Sequence, residues 1–282
     1  NEGTIYAKEW DVSAVEQLSI DKSPYYTLHP KIFEWGRTLT IFISILTIYL
    51  VFVILKKTYG NLAGFIGVAI LVFMPNHAFY SICMTPDMIA CLFILLVVWA
   101  CINILQTGNK KYYLIAGFCS GLAMASKYSC ILIIVTLLLT HLLNKHKNTF
   151  LEKNFIWMFL LIILGFTIGC PYSILSLSEF LNGLGAAASF KTLNYGLPSI
   201  SLYYKTLLII SAIVIILSLF KNKSLNLLIF SFPILLFGKI ILFNTSINHP
   251  LFYPFIALSI AIGIIFLSEI IEKLFMKKWL KY

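Results

Sequence analysis

The sequence predicts an all-α fold, a polytopic bundle of about nine membrane-spanning helices. Three observations predict it. Of 282 residues, 60% are hydrophobic and only 11% are charged, with a mean hydropathy of +0.92; a soluble domain uses roughly 45–50% apolar and 25% charged residues. The apolar residues fall in runs near the roughly 20 residues that a helix needs to cross a bilayer. Lysines cluster in every second connection between those runs, the pattern that marks cytoplasmic loops.

Taken in order, residues 1–34 are polar and carry Glu2, Glu9, Asp11, Glu16, Asp21 and Glu34. They read as an extracytoplasmic loop segment. No signal-peptide pattern is present and the chain opens on Asn1, so the expectation is a protein truncated at its N-terminus. Residues 35–282 read as one multi-span transmembrane domain, with spans near 38–55, 62–80, 88–106, 112–126, 128–143, 155–170, 203–220, 225–243 and 253–271. The fourth and fifth meet at Lys127-Tyr128.

With the N-terminus outside, the cytoplasmic side receives Lys56-Lys57, Lys110-Lys111, Lys145 with Lys147 and Lys153, Lys221 with Lys223, and Lys273, Lys277, Lys278 and Lys281. These are 13 of the 21 basic residues. The formal net charge of +10 is therefore a topology signal rather than a patch for nucleic acid, and no nucleic-acid partner is expected. The other side holds residues 1–34, a turn at 81–87, a longer loop at about 171–201 and a short loop at 244–252. In the longer loop Ile174, Leu175, Leu177, Phe180, Leu181 and Leu184 recur at helical spacing, which predicts a short helix lying in the interface. The six cysteines lie mostly inside apolar runs, without CxxC or metal-ligand spacing, and read as small packing residues.

An ionisable group at membrane depth needs a reason. Between Arg37 and Lys147 the sole acidic residue is Asp87, in Cys83-Met84-Thr85-Pro86-Asp87-Met88. Pro86 suits a first helical turn, and the carboxylate would lie at that helix's positive end. An ordinary helix-start acid explains Asp87 equally well on composition alone. Arg37, Lys127, Lys205, Lys239 and His249 all fall on the same side and at one depth. Singly, each reads as a snorkelling cation; together they suit a phosphate or pyrophosphate lipid head group. Tyr80, Tyr128, Tyr172, Tyr203, Tyr204 and Tyr253 share that level and could stack on a sugar, the alternative being an interfacial aromatic belt. No Walker loop, GxGxxG, HExxH or GxSxG motif occurs.

The order of these features resembles the protein-mannosyltransferase-like membrane enzymes, glycosyltransferase family 39 and its relatives, of the GT-C type. The likeness rests on Gly36-Arg37-Thr38-Leu39, Thr85-Pro86-Asp87, Lys110-Lys111-Tyr112-Tyr113, and Ala116 to Ala123 followed by Ser126-Lys127-Tyr128-Ser129. Looser landmarks are Gly169-Cys170-Pro171-Tyr172 and His249-Pro250-Leu251-Phe252-Tyr253-Pro254-Phe255. The resemblance covers roughly residues 35–270. It implies transfer of a sugar, with inversion, from a polyprenyl-phosphate carrier to a protein or glycolipid acceptor on the extracytoplasmic face of a plasma membrane, bacterial by expectation.

In that family an acidic motif in the first outer loop supplies the base. Here Glu2 in Asn1-Glu2-Gly3 is its candidate remnant, with His29-Pro30 resembling the following His-Pro element; otherwise residues 1–34 are the tail of that loop. The resemblance makes Asp87 a catalytic group that helps bind a divalent cation or position the reactants. It assigns the donor phosphate to Arg37, Lys127, Lys205, Lys239 and His249, and substrate contacts to Tyr128, Tyr172 and Tyr253. A lipid-linked glycan flippase and a non-catalytic homologue stand as alternatives; Pro233 and Gly238 in the eighth span are the sequence hint of the former.

Overall fold

The computed structural model describes residues 30–145, 152–189, 254–265 and Ser268, and every regular element among them is helical. These are α1 (Pro30–Tyr59), α2 (Asn61–Val72), α3 (Pro75–Ile82), α4 (Pro86–Thr107), α5 (Lys110–Ser126), a 3₁₀ turn (Tyr128–Leu132), α6 (Ile133–Leu143), α7 (Lys153–Gly169), α8 (Tyr172–Leu175), α9 (Leu177–Ser189) and α10 (Pro254–Ile265). The all-α membrane bundle expected from the sequence is what forms.

The count of nine spans is not what the described residues display. Two helices among them, Glu34–Tyr59 of α1 and α4, are long and apolar enough to cross a bilayer, and α2 with α3 makes a third only as a bent pair. The proposed seventh and eighth spans lie outside the described residues. Helix α1 also begins at Pro30, so residues 30–34 belong to the first helix rather than to the preceding loop segment.

The run 62–80, read as one continuous span, is broken. Helices α2 and α3 meet at 67° because Pro75 has no N–H and its ring excludes the carbonyl four residues back, at Leu71. That carbonyl instead accepts from Met74 N–H at 3.3 Å, while Phe73 N–H reaches the Ala69 carbonyl at 3.1 Å. Met74 is extended, and Pro75 opens the next helix.

Of the two long apolar helices among the described residues, α4 is the more enclosed: 67% of its most apolar stretch is buried, against 39% for α1. Pro86 at its first turn holds Thr85 extended (φ −119°, ψ 151°). Gly108 ends it in the left-handed region (φ 64°), where its N–H reaches the Ile104 carbonyl at 2.8 Å. Asn109 then caps α5, its side chain accepting from Lys111 N–H at 3.0 Å.

Helices α5 and α7 run parallel in close contact. A Cβ placed on Gly117 or Gly121 would overlap the backbone of Met158 or Ile162, and one on Gly165 would overlap the Phe118 carbonyl. Gly117/Gly121 on one helix and Gly165/Gly169 on the other form a facing pair of Gly-x₃-Gly stripes, the arrangement that lets backbones approach where no hydrophobic effect drives association. Helix α10 returns beside α2, where Gly67 approaches Ala261.

The helices alternate between two ends. At one end Lys57 donates to the Asn103 side chain, whose amide nitrogen in turn donates to the Trp99 carbonyl at 2.7 Å. The Lys110 ammonium lies over the Trp157 ring at 5.7 Å. Beneath them Tyr113, His141 and Asn144 are buried together. Asn144 Nδ2 donates to the Tyr113 hydroxyl at 3.0 Å, so that hydroxyl's proton is free to bond His141 Nδ1 at 3.1 Å, while Phe155 stacks on the imidazole at 4.2 Å. Tyr113→Phe removes both hydrogen bonds from a buried network, and the expected loss is about 1–3 kcal/mol of stability, read as a lower thermal midpoint in detergent.

Candidate functional site

The opposite end gathers the chemistry. Asp87, in the first turn of α4, pairs with Lys127, the residue at which α5 ends. Lys127 adopts extended backbone and hands the chain to the 3₁₀ turn, so its ammonium is held at the mouth of the bundle. Both side chains are sheltered, Lys127 at 29% and Asp87 at 15% exposure. A charge pair taken this far out of water stands on its mutual attraction, and deleting either member strands the other.

Three further pieces surround it. Tyr80, near the end of α3, lies within the field of the Asp87 carboxylate. The start of α1 rests on the turn between α3 and α4: a Cβ on Gly36 would collide with the Met84 sulfur. Arg37, exposed, acts electrostatically on the Cys83 thiol in the same turn. Finally, Tyr128 opens the 3₁₀ turn just past Lys127, and its ring meets Phe180 of α9 edge-on at 5.9 Å. Phe180 also approaches Phe166 at 6.2 Å, which lays the predicted loop helix, now α9, over this end of α5 and α7.

Of the site residues expected from sequence, Asp87 and Lys127 are thus in direct contact, and Arg37 and Tyr128 are close by. Tyr172 is 68% exposed at the start of α8. Glu2, Lys205, Lys239, His249 and Tyr253 lie outside the described residues. Cys83 and Cys170 are half-buried at this end, and the other four cysteines are buried thiols. Among the described residues no group of three or more His, Cys, Asp or Glu could hold a metal. Asp87 has the Lys127 ammonium for its partner.

Two groups escaped the sequence reading. Thr85 and Ser129 each stand two residues from a member of the ion pair, and their hydroxyl oxygens are shielded from solvent with no hydrogen-bond partner. The signal was available, since both lie inside motifs that resemble the family's; hydroxyls simply carry no charge to draw notice in an apolar sequence.

The family model described as dolichyl-phosphate-mannose-protein mannosyltransferase matches residues 33–172. This part of the chain is mannosyltransferase-like, of the GT-C type. No curated protein and no solved structure matches significantly. The matched stretch contains Arg37, both members of the ion pair, Tyr128 and Tyr172, and it ends where the outer helices begin. Together with the apolar helices, the match supports an integral membrane protein and a membrane glycosyltransferase of the GT-C type.

Proposed function

We propose that the chain transfers a sugar from a polyprenyl-phosphate carrier to a protein or glycolipid acceptor, at a site facing away from the cytoplasm. The observation that carries this reading is the sheltered Asp87–Lys127 pair at the end of the bundle opposite Lys57 and Lys110. By the positive-inside rule the Lys57 end is cytoplasmic and the pair is outside, in a plasma membrane that we take to be bacterial.

The chemistry follows from charge. As the bond from the sugar's anomeric carbon to the carrier's phosphate oxygen breaks, that phosphate becomes more negative. A fixed ammonium beside it stabilises the transition state more than the ground state. Lys127 supplies the ammonium, with Arg37 close enough to the same turn to add a second cation. Asp87 orients Lys127 before the donor arrives and so positions the reacting groups. Lys205, Lys239 and His249 are further candidates for the carrier phosphate, with Tyr128, Tyr172 and Tyr253 for the sugar. Glu2 is the candidate base.

The test is transfer from a panel of radiolabelled polyprenyl-phosphate sugars by the full-length protein in sealed vesicles of known orientation. Label should reach acceptor only where the Asp87 side faces the added donor. Correct insertion without transfer from any donor would overturn the reading and favour the flippase alternative, for which the bent α2–α3 pair is the relevant observation.

A further inference from the structure

Among the described residues three buried side-chain nitrogen or oxygen atoms lack a partner: His77 Nδ1, Thr85 Oγ1 and Ser129 Oγ. Two of the three belong to residues that flank the Asp87–Lys127 ion pair. Native interiors leave few polar atoms unpaired, and each such atom asks for an explanation.

Thr85 makes the case sharper. It occupies the capping position of α4, where a threonine hydroxyl ordinarily accepts from the N–H of the second or third helical residue. Here it makes no such bond. The hydroxyl therefore gives up the local stabilisation its position offers while being withheld from water. Ser129, in the 3₁₀ turn just past Lys127, is in the same condition. The Asp87–Lys127 contact joins the two short segments Thr85-Pro86-Asp87 and Lys127-Tyr128-Ser129, so both hydroxyl-bearing residues stand two positions from a member of a single charge pair.

We propose that Thr85 and Ser129 are ligand-binding residues whose hydroxyls donate to the anionic oxygens of a phosphate group held by Lys127. The Asp87 carboxylate cancels much of the Lys127 charge, so an arriving phosphate needs donors that bring no negative charge of their own. Two hydroxyls supply them: each can turn its proton toward the anion, and a hydrogen bond to a charged acceptor is among the stronger ones a protein makes. This rests on the reading under Proposed function for its choice of phosphate as the ligand, yet it can fail separately.

The experiment compares the wild-type protein with Thr85→Val, Thr85→Ser, Ser129→Ala and the Thr85→Val/Ser129→Ala double variant in nanodiscs. Binding of polyprenyl phosphate and of the uncharged polyprenol is measured, with inorganic phosphate as competitor. Thr85→Val and Ser129→Ala should each weaken polyprenyl phosphate binding about tenfold, leave polyprenol unaffected, and be spared in Thr85→Ser. Because valine replaces an unpaired buried hydroxyl with a group of the same shape, ligand-free Thr85→Val should melt at or above the wild-type temperature; a merely structural threonine would lower it. Competition by inorganic phosphate, weakened in the same variants, assigns the phosphate group itself. Failure to compete, with the lipid effect intact, assigns a lipid-borne phosphate. Unchanged affinity in the double variant, or no polyprenyl phosphate binding by the wild type, overturns the proposal. Weakened binding in the variants of a protein that transfers no sugar would uphold it and sink the transferase reading.

Discussion

Asp87→Asn is expected to abolish sugar transfer by the full-length protein, a loss of at least about hundredfold, while leaving insertion and yield intact. Asparagine keeps the shape and one acceptor but gives Lys127 no counter-charge, so the ammonium is no longer fixed where the phosphate's charge develops. Lys127→Ala should lose as much activity and, in addition, stability, because it leaves a carboxylate that is 15% exposed without its partner, a cost of up to about 3–5 kcal/mol. The double variant Asp87→Asn/Lys127→Met separates the two effects. Neutralising both members removes the stranded charge, so thermal stability should return to wild-type level or above while transfer stays absent. A fully active double variant would refute the site.

The second large effect is mechanical. Gly121→Leu should cost at least about 3 kcal/mol, because its side chain would have to occupy the space of the Ile162 carbonyl and the Phe166 backbone. No rotamer escapes a clash that begins at Cβ. Helices α5 and α7 must separate, and Lys127 is carried at the end of one while Phe166, which Phe180 joins to Tyr128, lies on the other. Gly183→Leu, where nothing lies within 4 Å of the added carbon, is the control and should stay within about 0.5 kcal/mol of wild type. The comparison is read by thermal unfolding in detergent and by the monodisperse fraction on gel filtration.

Much of this was written in the amino acids. Composition alone established a helical membrane bundle, and the lysine pattern anticipated that Lys57 and Lys110 would gather at one end and Asp87 and Lys127 at the other. Pro86 marked the start of α4, and the apolar spacing of Leu177, Phe180, Leu181 and Leu184 announced α9. Hydropathy misled at 62–80, where apolar side chains continue smoothly through Pro75 although the backbone cannot. A window average registers the solvent a segment prefers and is blind to a missing N–H. The same blindness hid the facing glycine stripes: Gly117 and Gly121 are legible in sequence, but their partners Gly165 and Gly169 are identified only once α5 and α7 lie side by side. The cations near Asp87 were read as partners for a ligand, and the structure adds that, before any ligand arrives, Lys127 is the partner of Asp87 itself.

The bend between α2 and α3 has a further consequence for the lipid around it. At 1.5 Å per residue α2 rises about 18 Å, and α3, turned by 67°, adds only about 5 Å along the same direction. The pair thus spans about 23 Å, short of the roughly 30 Å of a hydrocarbon core. Its outer flank bears Leu62, Phe65, Val72, Phe73, Phe79 and Ile82, all exposed, and it is hydrocarbon that must wet them. Acyl chains there can match the short wall only by thinning, which lowers the plane of the head groups along that flank. Because α3 leads straight into the turn before Asp87, the thinned flank adjoins the charged pair.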